Sequence, residues 1–183
     1  MADSAGIIYR VNDQDKIVFV NAKWDQLAAA NAGEAVTASQ VLQRRLWDFI
    51  SDSTTRELYR QVLLRIRDGR SLRFTFRCDS PSCRRLLEMD VHSREDGTVE
   101  FRTRTVSEES RQPLVLQESG AAGSGELLRM CGWCKKVFFD GTWTEVEDAV
   151  DQLRLFHRTF LPSITHGICE GCYQEMIKTL ANA

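Results

Sequence analysis

Two cysteine pairs of identical internal spacing, Cys131 with Cys134 and Cys169 with Cys172, lie in the last third of this 183-residue chain. A C-x2-C turn brings both sulfurs to one side of the backbone. Two such turns can therefore offer four thiolates to a single ion. Four thiolates form a tetrahedral cage that suits Zn2+ at about 2.3 Å per bond. The same soft donors also accept iron, so spacing alone leaves the metal open.

The stretch between the pairs, residues 135–168, is longer than in the commonest ribbons, so it must hold an inserted element. "WTEVEDAVDQLRLFHRTF" supplies one. Val146, Ala149, Val150, Leu153 and Phe156 recur at helical spacing. Glu145, Glu147 and Asp148 suit the first turn, Arg154 and His157 the last. Pro162 ends the helix. The competing reading of Cys131-Gly-Trp-Cys134 is a redox dithiol, as in thioredoxin-like sites. Those sites follow a strand in a βαβ unit, and no such unit is legible here. The second pair would also be left without a role. A metal site that releases its ion on oxidation would satisfy both readings.

Bulk properties set further limits. With 24 Lys and Arg against 26 Asp and Glu, the net charge of −2 gives no basic surplus for nucleic acid. No apolar run approaches the roughly 18 residues that cross a bilayer. The N-terminus lacks a basic start followed by a long apolar run. A cytoplasmic protein without membrane contact is expected, and its six cysteines should stay reduced.

Ahead of the cysteine module the pattern is that of an α+β fold. Ile7, Tyr9 and Val11 alternate with Ile8 and Arg10. A polar turn at residues 12–15 then leads to the apolar run Ile17 to Val20, which makes a hairpin. Helical stretches follow: one near Trp24, Leu27 and Ala28, and one over about Ser39 to Ile50. A third starts at a Thr54/Glu57 capping box, with Leu58, Tyr59, Val62, Leu63 and Ile66 on one face. Three alternating segments come next, carrying Leu72, Phe74, Phe76 and Cys78, then Leu87, Met89 and Val91, then Val99, Phe101, Thr103 and Thr105. Short turns join them into an antiparallel meander with one polar face. Residues 107–126 are rich in Ser, Gly, Glu and Gln and read as a linker.

Two strands, a helical block and a three-stranded meander make the order of a PAS domain, which residues 5–106 resemble. "FVNAKWDQLAAAN", "LWDFI" and "FRCDSPSCRRLLEMDV" strengthen the resemblance and are similar to a bacterial PAS-like family in which "RCDSP…RR" recurs. The resemblance implies a five-stranded antiparallel sheet with helices between strands 2 and 3. It also implies a small pocket and a role in sensing or in dimerisation. Flavin-photosensor members carry a motif like "NCRFLQ"; here "NAGEAV" and "LQRRLW" lack the cysteine. Haem-binding members use a histidine on the long helix, and residues 54–67 have none. Neither chromophore is expected, and the ligand stays unidentified. Residues 130–175 resemble a zinc-ribbon-like tail of bacterial signalling proteins, which implies structural Zn2+ held by Cys131, Cys134, Cys169 and Cys172 in a module spanning 127–183.

Other candidates receive plain readings. Cys78 and Cys83 bracket a turn and read as a buried strand-end cysteine and an incidental one. Arg84 and Arg85 read as salt-bridged or solvated. Trp24 and Trp47 read as core. His92, Glu57, Asp90 and Glu100 read as solvated. His166 is left between a hydrogen bond to a sulfur and a role in fixing its loop. A closed four-cysteine shell has no open position, and no phosphate loop, GxSxG or HExxH is present. The expected function is non-enzymatic: bacterial signal sensing or protein interaction, as a homodimer or with a signalling partner. The apolar strand "GIIYRV" would be available for pairing, and the two modules would have separate cores. The alternative is a redox- or zinc-responsive regulator that uses the C-x2-C pairs.

Overall fold

The computed structural model describes residues 6–30, 36–80, 82–111, 127–153 and 163–183. Strands β1 (Ile8–Val11) and β2 (Ile17–Val20) form the first hairpin. Its turn is built by Asn12, whose Oδ1 accepts from the backbone N–H of Gln14 and Lys16. Helices α1 (Lys23–Ala30), α2 (Ala38–Val41) and α3 (Ser53–Arg67) follow, with a 3-10 turn at Leu46–Phe49 between the last two. Strands β3 (Leu72–Arg77), β4 (Cys83–Ser93) and β5 (Val99–Ser110) complete an antiparallel sheet in the order β2-β1-β5-β4-β3. This mixed α+β architecture is consistent with a PAS-like fold.

Local chemistry accounts for three departures from expectation. The stretch 39–50 is not one helix. Gln43 takes φ +66° and its N–H donates to the Ile17 carbonyl at 2.8 Å, while Ile17 donates to the Arg44 carbonyl at 2.9 Å. The backbone there pairs with the start of β2 instead of continuing a helical ladder. Helix α3 begins one residue before Thr54. Asp52 is its N-cap and accepts from Thr55 N at 2.7 Å. A carboxylate at that end also suits the helix dipole, and Glu57 instead pairs with Arg60. Strand β1 is not available for pairing. It lies inside the sheet with β2 on one side and β5 on the other, and Tyr9 and Val11 point into the core.

The linker stretch also begins later than its composition suggests. β5 runs on to Ser110, pairing Ser107, Glu108, Glu109 and Ser110 with Leu86, Arg85, Arg84 and Cys83. Residues 112–126 lie outside the described residues. Strands β6 (Leu127–Cys131), β7 (Val137–Phe139) and β8 (Thr142–Thr144) then form a meander. Helix α4 (Val146–Gln152) covers the first part of the expected helix, while Phe156 and Pro162 lie outside the described residues. β9 (Ser163–Gly167) returns parallel to β6, giving the order β8-β7-β6-β9. Helix α5 (Glu170–Ala181) closes the chain, with Met176 and Leu180 buried. Sequence reading missed this helix, although Tyr173, Met176, Ile177 and Leu180 carry its spacing.

The outer face of the large sheet holds a buried charge. Glu100 is 0% exposed. Its carboxylate accepts from Arg10 Nε at 2.8 Å, Arg94 Nη1 at 3.1 Å and Arg102 Nη2 at 2.8 Å. Alternation along β5 correctly places Glu100 opposite the apolar core, but three arginines fold over it and remove it from water. His92 joins the group, with Nδ1 2.9 Å from Asp90 Oδ1 and Nε2 3.7 Å from Glu100 Oε1. Burial alone would raise the Glu100 carboxyl. The hydrogen bonds and charges of Arg102 and Arg10 outweigh it and hold the group below the usual carboxylate range. A group whose folded-state pKa is lowered adds stability above its unfolded value, near pH 4, and loses that contribution as pH falls further. Glu100→Gln should cost about 1.5–3 kcal/mol at pH 7, where charge-assisted bonds are lost, and less at pH 3. Urea denaturation at the two pH values checks this; an equal loss at both would contradict it.

Candidate metal centre and its seat on the sheet

Each cysteine pair is set by a short, well-defined backbone device. After β6, the chain turns at Lys135, which takes φ +62°. Lys135 N donates to the Cys131 carbonyl at 3.0 Å, and Cys131 N donates to the Lys136 carbonyl at 2.8 Å. This tight loop points both sulfurs of the first pair the same way. The second pair opens α5. Cys169 is the N-cap, and its Sγ accepts from Cys172 N at 3.5 Å. Cys169 N in turn donates to Cys131 Sγ at 3.4 Å. A backbone bond from Gly132 N to the Gly167 carbonyl, 2.8 Å, ties the two loops together. Gly167 itself is closely approached: an added Cβ would meet Arg129 Nε at 2.8 Å.

These devices bring the four sulfurs within 4.8 Å of one another. Cys134 Sγ and Cys169 Sγ are 3.7 Å apart, against about 3.8 Å for the edge of a tetrahedron with 2.3 Å bonds. A disulfide would need about 2.05 Å, and all six cysteines are free. Hydrogen bonds from Cys134 and Cys172 hold the Cys131 thiolate far below the usual thiol range. Donating to Cys131 pushes Cys134 up to about 11 and Cys172 higher still. Four thiols this close ionise together only against a cation. The set can hold one metal ion, and its chemistry fits the group.

The remaining candidates fall elsewhere. Cys78 and Cys83 are partly buried and belong to no ligand cluster among the described residues. Cys78 lies one residue past β3, and Cys83 Sγ donates weakly to the Arg84 carbonyl at 3.6 Å. Trp24 packs edge-on against Tyr9 and donates from Nε1 to the Val36 carbonyl. Trp47 donates to Asp15 and lies under Arg60. His166 lies on β9 beside Met130; burial, with Lys135 nearby, holds it below the usual imidazole range.

The residue that sequence reading passed over is Trp133. It sits between the two cysteines of the first pair, yet its ring is 8% exposed and belongs to the core of the large sheet. It lies 6.1 Å from Tyr59 on α3 and 6.2 Å from Phe74 on β3, centroid to centroid. Ile168, Met176 and Leu180 join the same buried cluster as Leu58, Val62 and Phe101. The separate cores expected from the sequence are therefore one continuous core. Polar contacts follow the same seam. Arg77 N donates to the Trp133 carbonyl at 2.6 Å, Arg65 Nε to the Leu180 carbonyl at 2.7 Å, and Arg70 Nη1 to the Ala183 carbonyl at 2.6 Å. Arg84 and Arg111 both pair with Glu147, at 2.8 and 2.7 Å, and Arg77 pairs with Glu145 at 2.8 Å. Arg84 thus acts as an ion-paired residue, as its strand position suggests, and Arg85 pairs with Glu108.

No family model and no curated protein matches the chain. Among solved structures, a sensory box sensor histidine kinase from Vibrio cholerae is similar over 55% of this chain and 81% of its own, with a TM-score of 0.39 and 14% identity. At that similarity the fold assignment rests on element order and sheet topology.

Because Trp133 ties the halves together, Trp133→Ala should destabilise the whole chain by about 3–5 kcal/mol, the usual range for truncating a buried aromatic. Calorimetry should show a single unfolding transition in the wild type that moves down as one in the variant. Two transitions, with only the upper or the lower one shifted, would contradict a shared core.

Proposed function

We propose that this is a non-enzymatic signalling protein in which a PAS-like sensory domain, whose last strand runs to Ser110, is joined to a zinc-binding module (127–183). Cys131, Cys134, Cys169 and Cys172 hold one structural Zn2+. The observation that carries the reading is the position of Trp133, which is anchored by the first cysteine pair and buried in the core of the sheet domain. Any change in the sheet domain's interior is felt at the cysteine loop, and any loosening of the loop is felt in the interior. Four thiolates close the zinc shell, so the ion holds structure and offers no position to a substrate.

The signal then leaves by contact with another protein in the cytoplasm. Since β1 is interior, the contact surface lies elsewhere. The second sheet offers Leu127 at 72% and Phe138 at 40% exposure on one face of adjacent strands, and a homodimer or a signalling partner would cover them. Neither nucleic acid nor membrane is a partner in this reading, and the sensory domain works without haem or flavin.

A second reading has its own observation. Cys134 and Cys172 are only partly buried and line a groove of about 590 Å³ between β3 and α5. A hydroperoxide entering there would accept two electrons from two thiolates: its O–O bond would break, taking up two protons to leave as an alcohol and water, while the two sulfurs join and lose their hold on the metal. In that case the protein responds to oxidants.

Elemental analysis of the purified full chain should give one zinc per protein. The Cys131→Ser, Cys169→Ser double variant should retain none and should unfold cooperatively at lower temperature, because the core is shared. Stoichiometric zinc in the double variant would overturn the metal assignment. Sedimentation of the full chain at micromolar concentration should show a dimer, and a Leu127→Glu, Phe138→Glu variant a monomer. Zinc retained through treatment with mild peroxide would remove the second reading.

A further inference from the structure

Strand β3 closes the large sheet on one side, and its outward backbone groups are only partly used. Cys78 N, one residue past the strand, donates to the Arg85 carbonyl of β4 at 2.9 Å. An antiparallel ladder uses alternate residues, and β3 pairs with β4 in unbroken register. Leu72, Phe74 and Phe76 therefore bond toward β4, while Arg73, Thr75 and Arg77 turn their N–H and C=O groups outward. Arg77 N fixes that phase by donating to the Trp133 carbonyl at 2.6 Å. Among the described residues nothing outside the ladder bonds to the backbone of Arg73 or Thr75. The opposite edge is closed at β2, where Ile17 donates to the Arg44 carbonyl and accepts from Gln43 N.

The open groups border the groove of about 590 Å³ between β3 and α5. Thr75 lines it from the strand and is exposed; Met176 and Thr179 line it from the helix. A strand laid along β3 would alternate its side chains between the two faces of the sheet. Those on the core side would meet Phe76 and Met176. The one opposite Thr75 would lie on the outer face, diagonal to Arg73 and Arg77.

Charge on that outer face favours an acid. Glu88 is 13% exposed and pairs with both Arg73 and Arg104, while Asp90 pairs with Arg73. Across the groove, Glu175 pairs with Lys178. Arg77 is held by Asp79 and Glu145. The Arg73 side chain, 61% exposed, is the cation that reaches furthest into solvent beside Thr75. The same arginines argue against a second copy of this chain. Edge-to-edge pairing about Thr75 would set Arg73 of each copy opposite Arg77 of the other, and like charges directly opposite are destabilising.

We propose that β3 accepts an extended peptide from another protein as an added strand, with an acidic residue opposite Thr75 flanked by apolar residues. Thr75 N and O make the backbone bonds, Phe76 and Met176 hold the apolar neighbours, and Arg73 selects the acid. This edge is a second surface, apart from the face of Leu127 and Phe138. Cys134 and Cys172 line the same groove, so the occupant lies against the candidate metal centre.

The test uses the metal-loaded full chain and a phage library of random linear peptides. Enriched peptides should carry Asp or Glu between two apolar residues. A synthetic copy of one should bind saturably and should slow amide hydrogen exchange at Thr75, which is fast in the free chain. Thr75→Pro removes the outward N–H at a place where an edge strand tolerates proline. It should weaken the peptide about fivefold or more, the loss of a backbone hydrogen bond. Arg73→Glu should weaken it roughly threefold and strengthen, by a similar factor, the same peptide with lysine in place of the acid. If Thr75→Pro does not fold, exchange at Thr75 and the Arg73 reversal decide. The Leu127→Glu, Phe138→Glu variant should bind the peptide as the wild type does, which separates this edge from the dimer reading. No enriched peptide, enrichment without an acid, or Thr75 exchange unchanged on binding would overturn the proposal. So would Thr75 already protected in the free chain, which would place a second copy or a segment of this chain on the edge.

Discussion

The structure depends on one side chain being held from both ends. The Trp133 backbone is fixed by flanking cysteines and by the bond from Arg77 N, while its ring is fixed by Tyr59 and Phe74. Arg77 is the last residue of β3, the edge strand of the large sheet. An edge strand presents unpaired N–H groups that invite further strands. Here the cysteine loop takes the last of them, and α5 packs alongside the same strand. Sheet edge, core and candidate metal centre thus meet at a single tripeptide.

Electrostatics reinforces that seam but does not create it. The arginines of β3, β4 and the segment after β5 pair with Glu145 and Glu147 at the start of α4. These pairs are partly exposed, and such pairs are worth at most about 1 kcal/mol each. They act chiefly on orientation, since they fix how α4 faces the sheet domain. Burial of Trp133, Met176 and Leu180 contributes more, about 1.5–3 kcal/mol for each fully buried apolar side chain.

Much of the scaffold was legible in the sequence, for identifiable reasons. Strand alternation is a local property, so β3, β4 and β5 could be read directly, and Gly97, at φ +77°, marked the turn between the last two. Cysteine spacing encodes how two sulfurs point, so the four-sulfur cluster could be read from the chain alone. What escaped was set by distant partners. A tryptophan between two cysteines reads the same whether it faces water or another domain's core. Alternation put Glu100 on the outer face but could not show three arginines folding over it. Gln43 gives no sign that it will take a left-handed conformation, because the reward is a hydrogen bond to Ile17, far along the chain.

The contacts across the seam are also far apart in sequence. Arg65 reaches Leu180, a separation of 115 residues. During synthesis, the sheet domain emerges with Tyr59 and Phe74 uncovered and the end of β3 unpaired, and it stays so until α5 has been made. Loop closure over such a distance is slow, and an exposed strand edge with an open core is the kind of surface that chaperones hold and that aggregates form on. In the proposed reading, metal supply therefore bears on the birth of this protein as well as on its working life. A cell short of the ion would leave the nascent chain waiting with its interior open, and the amount of protein that accumulates would follow the amount of metal at hand.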